Sequence, residues 1–119
     1  MTTGRAALEA RYGIKNLRAI EDFVEHADEA ARVSSVRERY SSREADLMVE
    51  ALIVRLGESI RRMSSEFVSD YQDLMLRSIQ AARNVAAHGY DIVDHQLLWN
   101  AIDHRLPATA NALRQILDS

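Results

Sequence analysis

Apolar residues recur along this chain at spacings of three and four, the pattern of helices that bury one side. Leu17, Ile20, Val24, Ala27 and Ala31 mark one such stripe, over about Asn16 to Val33. Ser41, with Glu44 three residues later, opens a second helix. The pair is a capping box, in which each side chain satisfies a free backbone N–H of the first turn. Leu47, Met48, Leu52, Leu56, Ile60 and Met63 carry its stripe, Ala51 and Val54 widen it, and Ser64 and Ser65 close it. A third helix is expected from Tyr71 to about His88, with Leu74, Met75, Ile79, Ala82 and Ala86 inward. Gly89 comes next, where a helix ends in a left-handed residue. Asp94 is a good N-cap for a fourth helix, led by Leu97, Leu98, Ala101 and Ile102 with Trp99 beside them. Pro107 lacks an N–H and should kink or restart that helix, and Ala110, Leu113 and Leu117 continue the stripe.

No strand-like alternation and no repeat appears. The expected fold is all-α, an antiparallel bundle of four main helices whose last member is kinked or restarted near Pro107. Residues 1–14 read as an N-terminal arm, a weak helix or a loose segment bracketed by Gly4 and Gly13, and residues 15–119 as the helical domain. Composition agrees, since four Gly and one Pro in 119 residues leave little turn chemistry. The absence of cysteine excludes a disulfide scaffold, a thiol nucleophile and a thiolate metal site. No apolar run reaches the roughly 20 residues that a membrane helix needs, and the opening residues lack a signal-peptide core. A cytoplasmic protein without membrane contact is expected.

The net charge of −3 announces no nucleic-acid partner by itself. Residues 55–90 are the one slightly basic stretch, with 5 cations against 4 anions. All cations but Lys15 are arginine, which suits bidentate phosphate contacts and is also what codon bias in a GC-rich genome produces.

The densest polar cluster is Arg83-Asn84-Val85-Ala86-Ala87-His88-Gly89-Tyr90-Asp91. On a continuous helix Asn84 and His88 share a face. Arg83, His88 and Tyr90 offer an anion clamp, a proton-transfer group and a phenol open to modification. Spacing alone leaves plain alternatives open: a surface arginine, a helix-capping histidine and a packing aromatic. His88, Asp91, Asp94 and His95 cluster but match no compact metal spacing, so no metal is expected. His26 and His104 are isolated, and read as surface or helix-end residues.

The run Arg83-Asn84-x-x-x-His88-x-Tyr90 resembles the signature of the HEPN superfamily, arginine–four residues–histidine. With its tyrosine it resembles the HepT-like toxins of HEPN/MNT toxin–antitoxin pairs. Leu56-Gly57-Glu58-Ser59 resembles that family's Ile-Gly-Glu-Ala element. Asp91-Ile92-Val93-Asp94, Leu97-Leu98-Trp99 and Leu106-Pro107 come in the order of its later landmarks. The likeness covers about residues 15–117, and the N-terminal arm has no counterpart in it.

The resemblance implies a metal-independent endoribonuclease without a cofactor, built as a homodimer with two motifs facing each other across a cleft. His88 would be its general base or acid, and Arg83 would stabilise charge on the transition state. Asn84 would orient His88 or bind the phosphate, and the products would be a 2′,3′-cyclic phosphate and a 5′-hydroxyl. It also implies a partner, a minimal nucleotidyltransferase (MNT) antitoxin that transfers AMP onto Tyr90. Assembly beyond the dimer and the identity of the RNA stay open. The alternative of a different class is a non-catalytic HEPN module that scaffolds a nucleotidyltransferase or binds a nucleotide.

Overall fold

The computed structural model describes residues 3–88 and 92–119, and the main chain alone of His88. Among the described residues the chain is all-α apart from one two-residue strand pair. Helix α1 spans Gly4–Tyr12, α2 Ile14–Ser35, α3 Ser42–Arg62, α4 Ser65–Asp70, α5 Leu76–Gln80 and α6 Ala82–Ala86. Strands β1 (Ala87–His88) and β2 (Ile92–Val93) pair antiparallel, and α7 (His95–Asn100) passes through a π-helical turn, Ala101–Arg105, into α8 (Leu106–Asp118).

The long pair α2 and α3 forms the centre, with α1 and α8 packed on α2 and with α5, α6 and α7 packed on α3. The buried stripe of α2 is Leu17, Ile20, Phe23, Ala27 and Ala30; Ala31, expected inward, is exposed. That of α3 is Val49, Leu52, Ile53, Leu56 and Ile60. Leu47, Ala51 and Val54, which the periodicity also assigns to the core, face outward on α3. The helix is apolar on two sides, and among the described residues only one of them is buried.

Local chemistry accounts for most helix ends. The Ser41–Glu44 capping box is present in both directions, at 3.1 and 3.0 Å. Asp94 Oδ1 accepts from the Leu97 N–H and caps α7. Gly13, at φ 92°, breaks the chain between α1 and α2, a backbone that only glycine adopts freely. Of the N-terminal arm, Gly4–Tyr12 is a docked helix and not a loose segment: Leu8 is buried, and the Gly4 N–H donates to the Ser119 carbonyl.

The third expected helix is the largest departure. Ser64 does not only end α3; its hydroxyl caps the short α4. A 3-10 turn, Gln72–Leu74, then leads to Met75, which sits in the left-handed region at φ 60° with its side chain exposed. Beyond Met75 the chain forms two helices in place of one, α5 and α6, five residues each, ending at Ala86. Helix α8 restarts as expected, with Pro107 in its first turn. Trp99 is core, and the Arg37 guanidinium lies 4.7 Å from its ring centroid. No helix among the described residues is long and apolar enough to cross a membrane.

Candidate functional site

The first motif residues, Arg83 and Asn84, lie on the five-residue helix α6. Ala82 and Ala86 are buried and fix α6 against α3 and α7. Arg83, Asn84 and Val85, between them, are exposed. The Asp94 N–H donates to the Ala86 carbonyl at 2.8 Å, and residues 87 and 88 pair with 93 and 92. The main chain of His88 is thus a strand residue. It is not in the last turn of a helix, so Asn84 and His88 do not share a helical face. The helix stops earlier because its last carbonyl is taken by the returning chain. The side chain of His88, and Gly89, Tyr90 and Asp91 entirely, lie outside the described residues.

Arg83 and Asn84 line a groove of about 220 Å³ between α3 and the α5–α6 segment. Ile53, Gly57, Glu58 and Arg61 form its α3 wall. Two elements distant in sequence, Gly57-Glu58 and Arg83-Asn84, therefore border one groove. A Cβ on Gly57 would meet open space, so nothing obstructs the groove there.

The charges at the groove are paired. Arg61 Nη2 lies 2.6 Å from Glu58 Oε2. Arg83 Nη2 lies 3.3 Å from Glu50 Oε1, while the other oxygen of Glu50 is 3.1 Å from His95 Nε2. His95 Nδ1 in turn faces Asp46 Oδ2 at 3.6 Å. Asp46 and Glu50 are four apart on α3, so one helix face presents both carboxylates to the imidazole. Sequence patterning alone gives no role to Asp46 or Glu50, and brings in His95 only as a member of a metal-like cluster. The spacing Asp46-x-x-x-Glu50 beside an apolar stripe is the one available signal, but its partners lie more than 30 positions away.

Among the described residues, no group of three or more His, Asp or Glu side chains is placed to hold a metal ion. A cavity of about 510 Å³, separate from the groove, runs between Met75 and Ser78 on one side and His104 and Thr109 on the other.

The site also has an apolar border. Leu47 and Val54 on α3 and Val85 on α6 are 57%, 50% and 68% exposed, and Ile92 and Leu97 are exposed nearby in sequence. Scattered exposed apolar side chains are ordinary, but a stripe at i, i+4 and i+7 (Leu47, Ala51, Val54) is a face left uncovered by the described residues.

Comparison with curated proteins and with solved structures found no match. The family model described as ribonuclease HepT-like matches residues 14–116, which takes in α2 through nearly all of α8 and the whole of the Arg83–Tyr90 run. The chain belongs to the ribonuclease HepT-like family of the HEPN superfamily.

Proposed function

We propose that this protein is a metal-independent endoribonuclease, the toxin of a HEPN/MNT toxin–antitoxin pair. The observation that carries the reading is the family match over residues 14–116, which includes the complete Arg83-Asn84-x-x-x-His88-x-Tyr90 motif. The exposure of Arg83 and Asn84 on an open groove supports it.

RNA carries its own nucleophile. In the proposed step His88 takes the proton of the 2′-hydroxyl, a role suited to a side chain that titrates near neutrality. The 2′-oxygen bonds to phosphorus and the P–O5′ bond breaks. The 5′-oxygen takes up a proton as it leaves, so the products are a 2′,3′-cyclic phosphate and a 5′-hydroxyl. Arg83 offsets the charge that develops on the phosphoryl oxygens, where a preorganised cation acts most strongly. Asn84 orients His88 or hydrogen-bonds the phosphate.

A second copy of the chain covers the apolar stripe of Leu47, Ala51 and Val54 and brings two motifs together across a two-fold axis. Each protomer then adds its arginine to a shared cleft, which is how a chain of net charge −3 holds RNA. Adenylylation of Tyr90 by a minimal nucleotidyltransferase puts bulk and negative charge at the motif and shuts out substrate.

The test is cleavage of a defined RNA in EDTA by protein of verified unmodified mass, beside His88→Ala and Arg83→Ala. Cleavage by wild type that leaves a cyclic phosphate, none by His88→Ala and slow residual cleavage by Arg83→Ala are the expected results. Full activity in His88→Ala sinks its assignment. No cleavage of several RNAs by unmodified wild type favours the non-catalytic scaffold instead. In sedimentation, Leu47→Asp with Val54→Asp should convert dimer to monomer and abolish cleavage; a monomeric wild type refutes the shared cleft.

A further inference from the structure

We propose that Glu50 is a positioning residue for Arg83, itself held in place by His95; the proposal rests on the ribonuclease reading above. The Glu50 carboxylate is the junction of a chain that crosses three helices: Asp46 and Glu50 on α3, His95 on α7 and Arg83 on α6. Its two oxygens serve different partners. Oε2 meets His95 Nε2 at 3.1 Å and Oε1 meets Arg83 Nη2 at 3.3 Å. The Glu50 side chain is less exposed than that of Arg83, 29% against 45%. The carboxylate is thus the fixed element and the guanidinium the movable one.

Its anchor is well placed. His95 is the first residue of α7, directly after the Asp94 cap, so its main chain is set by that cap and by the bond from Asp94 to Ala86. Arg83 lies on a five-residue helix and is itself exposed, as are Asn84 and Val85 after it. A long arginine in that setting samples many conformations, and a single aimed carboxylate narrows them. An exposed ion pair adds little stability, so the arrangement serves orientation better than folding.

The same carboxylate has an opposite effect on binding. It places a negative charge beside the position of the RNA phosphate. Removing it should free charge for binding while it disorders the group that acts in the transition state. Affinity and turnover should therefore move in opposite directions. That signature separates positioning from a structural role, which lowers both, and from no role, which moves neither.

The experiment uses the full chain as wild type, Glu50→Gln, His95→Gln, Arg83→Ala and the Glu50→Gln/Arg83→Ala pair. Glu50→Gln keeps shape and an acceptor oxygen. Its expected effect is a loss of about tenfold in kcat, with about threefold tighter binding of an uncleavable 2′-O-methyl RNA. His95→Gln should shift both in the same directions, by less. In the Arg83→Ala background Glu50→Gln should lower kcat no further. An equal loss in both backgrounds, or turnover and affinity falling together, overturns the proposal. A third readout needs no RNA: the Arg83 guanidinium NMR signal should broaden or shift in Glu50→Gln and His95→Gln. If wild type cleaves nothing, the ribonuclease reading falls while this signal still decides the positioning. An unchanged Arg83 signal in both variants overturns it.

Discussion

Gly4→Ala sets two physical effects of opposite sign against each other. In a free helix the change is favourable by about 1 kcal/mol, since alanine is the better helix former. Here the first residue of α1 lies against the last turn of α8. A Cβ on Gly4 would stand 2.0 Å from the Ile116 carbonyl oxygen and 2.9 Å from that of Leu117. Both atoms are main chain, so no side chain can swing aside. Reaching even the 3.0 Å floor of such contacts parts α1 from α8 by about 1 Å. That separation breaks the 2.6 Å bond from the Gly4 N–H to the Ser119 carbonyl, worth about 1 kcal/mol net. It also loosens Leu8, now 4% exposed, whose burial contributes about 2 kcal/mol. The exposed Arg5 links to Glu21 and Asp118 add little. The balance is a loss of about 2 kcal/mol, a drop of about 10 °C in Tm for a chain of this size. Thermal and urea unfolding followed by circular dichroism measure it. Leu8→Ala should cost about the same, and the double variant less than the sum, because both undo one docking. A Gly4→Ala protein that melts higher than wild type refutes the docked helix, since only the propensity effect would then remain.

Met75→Gly should raise the melting temperature slightly or leave it unchanged, because the left-handed backbone costs an L residue about 1–2 kcal/mol and an exposed side chain gives up little burial. Met75→Val should melt lower than both, and the reverse order in a thermal scan refutes the strain. The Tyr12 hydroxyl donates to Asp70 Oδ2 at 2.6 Å, and that bond first, then Arg11, holds the Asp70 carboxyl below its ordinary 3.8. Burial, then the same bond, raises the Tyr12 phenol above 10.0. The Asp70 contribution is present above pH 3.8 and is lost as pH falls through the lower folded value; that of Tyr12 is present below pH 10.0 and is lost as pH rises through the higher one. Tyr12→Phe should therefore flatten both limbs of a plot of urea midpoint against pH, and unchanged limbs refute the link.

The features legible in the sequence are local ones. The capping box at Ser41, the cap at Asp94 and the restart at Pro107 are each settled within a few residues, and each is present. Helix α4 is hidden in the sequence because the serines that follow α3 read as its end, while the Ser64 hydroxyl caps the next helix. The break at Met75 has no sequence signal, since methionine is a good helix former and its left-handed backbone is imposed by packing on either side. Periodicity marks Leu47, Ala51 and Val54 as apolar but holds no information on which apolar face of α3 meets a neighbour in the same chain. The motif residues are legible through their resemblance to a family. Glu50 and His95, 45 positions apart, become visible as a pair only when α3 and α7 come together.

The division of labour within the bundle carries a consequence for dynamics. Helices α2 and α3, of 22 and 21 residues, bury long stripes of large side chains, Phe23 and Leu56 among them. Arg83 and Asn84 lie on five residues anchored by two alanines, and the next residues pair only as a two-residue ladder. A helix shorter than about 12 residues does not stand alone in water, so α6 persists through its anchors and through the bond from Asp94 to Ala86. Two buried methyl groups hold far less free energy than a buried phenylalanine and its neighbours. Segment α6–β1 should therefore open without the core, at a cost lower by about 3 kcal/mol, which is about a hundredfold in amide exchange. Native-state hydrogen exchange tests this at Val85 and Ala86 against Phe23 and Leu52. Uncleavable RNA should slow Val85 and Ala86, and Phe23 as well, because ligand binding stabilises against every opening that releases it, the global one included. Equal protection in the two sets refutes the reasoning, for α6 would then open only when the whole bundle does.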